Sequence, residues 1–70
     1  MRRNLESIAD YSKAIELDPN NAYLYFGRGM SYESLGQNEE ALKNLKVSLM
    51  VDPDFNLVLN MVDYLENEKK

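Results

Sequence analysis

The side chains able to do chemistry in this sequence are few in kind. It contains no cysteine and no histidine, which removes the common zinc sites, every Ser/His or Cys/His nucleophile pair and any disulfide framework. Carboxylates, hydroxyls, lysines and tyrosines remain. Asp63 and Glu66 stand three apart, a spacing that puts two carboxylates on one helix face and could serve acid/base work inside a cleft. Near a chain end with no pocket partner, they read instead as a solvated face. Gly27-x-Gly29 could open a dinucleotide fingerprint, but Tyr32 holds the third glycine position and the stretch has a helical pattern rather than following a strand. Asp52-Pro53-Asp54 could begin a calcium loop, yet the central glycine and the closing glutamate are missing, and proline commonly ends a helix. No catalytic residue, metal site or cofactor is therefore expected, and the chain is expected not to be an enzyme.

The elements that would position any site must fit into 70 residues, which is a single small domain whose core rarely supplies more than about 3–5 kcal/mol. Hydrophobic content of 44% and charged content of 29% suit a folded globular chain rather than a disordered one. The net charge is −4, and the basic doublets are Arg2-Arg3 and Lys69-Lys70 at the two ends. That is no basic stripe, so neither nucleic acid nor an acidic membrane surface is an expected partner. The longest purely apolar run, Ala22-Tyr23-Leu24-Tyr25-Phe26, is far short of the ~20 residues a membrane span requires. Met1-Arg2-Arg3 looks like the start of a signal peptide, but Asn4, Glu6 and Asp10 interrupt the apolar stretch that should follow. With no cysteine in the chain, a reducing compartment and a cytoplasmic location are expected.

A period organises the rest. Leu17-Asp18-Pro19 returns as Val51-Asp52-Pro53, with the prolines 34 positions apart. The same shift pairs Asn4 with Asn38, Ile8 with Leu42, Tyr11 with Leu45 and Ile15 with Leu49, polar on polar and apolar on apolar. Inside each period the apolar residues recur at three and four, as in Leu5, Ile8, Tyr11 and Ile15 or Val58, Met61, Val62 and Leu65, which is helical spacing. The spacing predicts four helices at about 3–17, 22–35, 38–51 and 55–67. The Asp-Pro pairs stop two of them, because the residue before proline is driven out of the α region. Gly36 falls where a left-handed cap is wanted, and Asn38 is then the expected N-cap, followed by Glu39 and Glu40 at the positive end of the helix dipole.

The run Tyr25-x2-Arg28-Gly29-x2-Tyr32, then Gly36, Ala41-x3-Leu45 and Pro53, resembles the tetratricopeptide repeat, a helix–turn–helix unit of the same period. The resemblance implies an all-α fold: antiparallel helix–turn–helix repeats stacked as a short right-handed solenoid of about four helices. It divides the single domain, 1–70, into the second helix of a preceding repeat (1–21), a complete repeat (22–55) and a C-terminal capping helix (56–70). Gly29 would let the two helices of the hairpin approach closely, with Tyr32 filling the space beside it and Ala41 and Leu45 facing it. Arg28 departs from the family's usual leucine; its stem is expected along the hairpin with the guanidinium outward. At the positions of Gly29 and Tyr32 the last helix carries Asp63 and Glu66, acids that would be costly to bury under another helix, hence its reading as a cap.

The resemblance also implies a function. Stacked hairpins form a curved solenoid whose concave face, lined by the first helix of each hairpin, receives a segment of another protein. On that face the sequence places Tyr23, Phe26, Met30 and Glu33, and on the last helix Leu57, Asn60, Tyr64 and Asn67. Family members that grip a C-terminal carboxylate use lysine, arginine and asparagine there. Lys and Arg are absent from this face, so an apolar segment held by packing and a few hydrogen bonds is expected. The plainer alternative is that Tyr23, Phe26 and Met30 pack against neighbouring helices. The expected role is thus a non-catalytic protein–protein interaction module and scaffold that binds a protein or peptide. The alternative is a structural or self-assembling fragment, either the end of a larger array or a homodimer that pairs or exchanges helices, with no separate ligand. A homo-oligomer would form through the N-terminal helix, where Leu5, Ile8, Tyr11 and Ile15 lack a partner and each large side chain left in water forfeits about 1.5–3 kcal/mol.

Overall fold

The computed structural model describes residues 2–68; Met1, the Lys69-Lys70 doublet and the end of the 56–70 unit lie outside the described residues. Four helices follow one another: α1 (Arg2–Leu17), α2 (Ala22–Ser34), α3 (Asn38–Val51) and α4 (Asn56–Glu68). No strand occurs among the described residues, and the fold is the expected all-α array of antiparallel helical hairpins. Each helix packs chiefly on the next in the chain, giving a slab of 34 × 28 × 14 Å. Among the described residues no helix is long and apolar enough to cross a membrane.

The corners show why the helices stop. At the α1–α2 corner the Asn21 side chain caps α2, its Oδ1 accepting from Tyr23 N–H at 3.0 Å, while its Nδ2 donates to Asp18 Oδ2 at 3.2 Å. At the α2–α3 corner Gly36 adopts φ 80°, where a side chain would be strained. Gly36 N–H donates to Glu33 O at 2.9 Å and Gln37 N–H to Tyr32 O at 3.0 Å, the paired bonds of a Schellman turn. That turn moves the next cap by one residue: Gln37, not the expected Asn38, is the N-cap of α3 and makes no side-chain cap bond. Its carbonyl already closes the first turn by accepting from Ala41 N–H at 3.0 Å, so Asn38 is the first helical residue. Glu39 and Glu40 stand in that first turn, as expected.

The hairpin of α2 and α3 is the tightest contact. A Cβ on Gly29 would lie 3.1 Å from Leu45 Cδ2 and 3.2 Å from the Ala41 carbonyl, a tight fit that any larger residue would have to relieve by a shift of its neighbours. Ala41 and Leu45 are fully buried beneath it. Ser48 is buried too, and its hydroxyl donates to the Ala22 carbonyl at 2.8 Å, tying the open end of the hairpin. The core joins Ala41, Leu42 and Leu45 of α3 to Val58, Val62 and Leu65 of α4, with Phe26, Tyr32, Leu49, Phe55 and Met61 packed around them. In α1, by contrast, none of the described side chains is buried: Ile8, Tyr11, Ala14 and Ile15 are partly covered, and Leu5 is 60% exposed.

Arg28 corrects an expectation. Its guanidinium does not point outward; Nε donates to Asn44 Oδ1 at 2.7 Å and Nη1 to Ser12 Oγ at 3.1 Å, while Cζ lies 5.7 Å from the Tyr25 ring centroid. The reason is that α1 and α3 both present polar acceptors to this point of α2. Ser12 in turn donates to Ile8 O at 2.7 Å and Asn44 Nδ2 to Glu40 O at 2.9 Å. One charged side chain thus bonds across three helices, and a charge-assisted bond is about twice as strong as a neutral one.

Candidate interaction groove

The face of α2 turned away from α3 carries the aromatic residues expected to form a groove. Helical spacing sets Tyr23, Phe26 and Met30 along one stripe, and the Asn21 cap fixes where that stripe begins. Tyr23 is 70% exposed, whereas Phe26 and Met30 are half-buried. Phe55, which leads into α4, lies against both aromatics: its ring centroid is 5.0 Å from that of Tyr23 and 5.4 Å from that of Phe26, in tilted geometry. Such pairs add about 0.5–1.5 kcal/mol beyond their buried area. They hold the exposed Tyr23 ring on a supported platform.

Beside this platform a cleft of about 470 Å³ opens between α1 and α2. Tyr23, Phe26 and Met30 line it from α2, Ser7 and Tyr11 from α1. Gly27 also lines it, and a Cβ there would collide with the Tyr11 ring, so the glycine lets that ring approach α2 closely. Around this apolar wall Ser7, Ser31 and Ser34 supply hydroxyls, and Ser31 is itself satisfied by donating to Gly27 O at 3.1 Å. The site can therefore bury an apolar side chain and offer its backbone a few polar contacts.

The expected site residues do not all meet. Tyr23, Phe26 and Met30 share the cleft, but Glu33 is not part of its wall. Leu57 and Tyr64 are 54% and 61% exposed on α4, and Asn60 and Asn67 are also exposed, but none of the four lines the cleft. Phe26 also packs against the core, so the alternative of simple helix packing describes part of its role. Ser7, Tyr11 and Phe55 were not among the expected site residues. Pairing Tyr11 with Leu45 through the 34-residue shift was the available signal, since it puts Tyr11 on the inward face of α1. Among the described residues no three potential metal-binding side chains come together.

Two family models match the chain, one described as "TPR repeat" over residues 3–36 and one as "Tetratricopeptide repeat" over residues 22–55. Among curated relatives, it is 35% identical over 49 residues to small glutamine-rich tetratricopeptide repeat-containing protein 2 of Mycosarcoma maydis, covering 70% of this chain and 14% of that protein. It is 41% identical over 46 residues to the STIP1 homolog of Dictyostelium discoideum, covering 66% of this chain and 8% of that one. Sperm-associated antigen 1 of Mus musculus is 30% identical over all 70 residues, which are 8% of its length. The chain thus spans between 8% and 14% of these relatives. No solved structure gives a significant match.

Proposed function

The chain belongs to the tetratricopeptide repeat family, and from that premise we propose that it is a non-catalytic, cytoplasmic protein-interaction module whose groove along α2 takes an apolar segment of another protein. The observation that carries this reading is the supported but exposed aromatic platform of Tyr23 and Phe26 on Phe55, opening into the cleft beside Met30. An exposed aromatic next to an open apolar wall is the usual make-up of an energetic hot spot. Leu57, Asn60 and Tyr64 of α4 prolong the surface for a longer ligand, and Glu33 borders it.

In this reading residues 22–55 are the complete repeat, 1–21 supply the second helix of a preceding one, and 56–70 form the capping helix. The cap is supported by the exposure of Asp63 and Glu66, the latter reaching back to Lys46 with Oε2 3.2 Å from Nζ. A polar outer face is what a terminal repeat needs. A second reading, self-association through α1, is favoured by one observation, the 60% exposed Leu5 on a helix with no described buried side chain.

The test is selection of binding peptides from a displayed random library, followed by Tyr23→Ala with Met30→Ala. The pair should lose about 2 kcal/mol or more of binding while helicity and the melting curve stay close to those of the parent. Peptides that bind the double variant unchanged would refute the groove. Sedimentation that finds a concentration-dependent dimer, abolished by Leu5→Glu, would establish the second reading.

A further inference from the structure

A second cleft of about 430 Å³, walled by Asp18, Asn21 and Asp52 among others, shares Tyr23 with the apolar cleft. Asp18 and Asp52 are equivalent residues of successive periods, so the stacking that brings the hairpins side by side also brings their two corner carboxylates to one opening. Each uses one oxygen in its own corner: Asp18 Oδ2 accepts from Asn21 Nδ2 and Asp52 Oδ1 from Asp54 N–H, both at 3.2 Å. The other oxygen of each takes no part in these bonds. No lysine or arginine lines either cleft. The cation of α2, Arg28, is directed to Ser12 and Asn44, and Lys43 and Lys46 pair with Glu40 and Glu66.

An apolar wall and an anionic opening that share one residue are complementary to a ligand of matching polarity. We infer that the segment taken by this groove carries a lysine or arginine beside its apolar anchors, with the cation seated at Asp18 and Asp52, and that acidic segments are rejected. The inference rests on the groove reading above and specifies its ligand: an apolar-basic stretch of a partner protein. Tyr23, at the junction, would lie against the aliphatic stem of the basic side chain.

The probes are three fluorescein-labelled synthetic peptides with one shared leucine/phenylalanine anchor sequence and blocked ends, flanked by lysines, glutamines or glutamates, and titrated by fluorescence anisotropy. The lysine-flanked peptide should bind about fivefold more tightly than the glutamine-flanked one at low salt, the scale of a solvent-exposed ion pair, and the glutamate-flanked one should bind most weakly. High salt should narrow the gap. Asp18→Asn with Asp52→Asn keeps the acceptor oxygens of both corners, and should bring the lysine preference to within about twofold while the glutamine-flanked affinity holds. Asp18→Asn alone, checked by far-UV dichroism, guards against a folding defect in the pair. Equal or tighter binding of the glutamate-flanked peptide, or a lysine preference that survives in the double variant, overturns the inference. If all three bind alike and all are lost with Tyr23→Ala and Met30→Ala, the groove stands and the cation seat alone falls. If none binds, or the lysine-flanked peptide binds the Tyr23/Met30 variant undiminished, the groove reading fails and takes the inference with it.

Discussion

The α1–α2 and α3–α4 junctions are the same contact made twice, one period apart, with different chemistry. On α2 the facing residues are Leu24, Gly27, Arg28 and Ser31; on α4 their equivalents are Val58, Met61, Val62 and Leu65. The second set closes the core, with Val58, Val62 and Leu65 buried against Leu42 and Leu45. The first set holds its helix by the bonds of Arg28 and by the Tyr11 ring on Gly27, and leaves a cleft. A shared period therefore dictates how helices lie, while the side chains at equivalent places decide whether a junction becomes core or stays open enough to receive something. Burial of a large apolar side chain contributes about 1.5–3 kcal/mol, whereas a hydrogen bond to a charged group nets about as much only if its partners stay paired. With Val58, Val62 and Leu65 all buried, the apolar junction is expected to be the firmer one.

Truncation at equivalent positions should break this symmetry most visibly. Leu45→Ala, deep in the core, should cost about 3–5 kcal/mol, enough to leave so small a domain largely unfolded by far-UV dichroism. Tyr11→Ala, its counterpart on α1, should cost only about 1–2 kcal/mol, with chemical denaturation still cooperative. Equal losses would mean that the two equivalent positions are energetically alike.

The polar junction can be opened by itself. Arg28→Ala leaves the amide oxygen of the buried Asn44 without its donor, a cost of about 1–3 kcal/mol, and releases Ser12. Hydrogen exchange should then quicken chiefly in α1, the helix with no buried side chain among the described residues. Pairing Arg28→Leu with Asn44→Leu should recover much of the loss, because replacing both partners of a bond by apolar groups is far less costly than orphaning one. Uniform acceleration across all four helices would contradict a local role.

The smallest effect belongs to the corner between them. Asn21→Ala removes the cap from α2 and should cost about 1 kcal/mol in urea denaturation, with faster exchange confined to the amides of the first turn, Tyr23 foremost. Asn21→Ser should restore most of it. No change in either measure would deny the cap its part in holding Tyr23 on the groove.

The helices and the Gly29–Leu45 hairpin were legible in the chain because each depends on local preference or on a contact that the 34-residue period repeats. Proline beyond the first turn disrupts a helix because it lacks a donor and clashes with the preceding turn, and a glycine opposite a leucine in a periodic pattern announces close packing. Arg28 was misread for the opposite reason. A long cation at a helix surface turns outward unless neighbours offer acceptors, and those acceptors, Ser12 and Asn44, lie 16 positions away on either side. The cleft was equally illegible, since Tyr11, Gly27 and Phe26 become its walls only once α1 and α2 are docked at their actual separation. The sequence by itself determined the period, the all-α array and the stripe of Tyr23, Phe26 and Met30. Tertiary structure alone decided that this stripe joins Tyr11 and Phe55, that Arg28 turns inward, and that Asp18 and Asp52 share one opening, because each of these is set by the space left between helices rather than by the helices themselves.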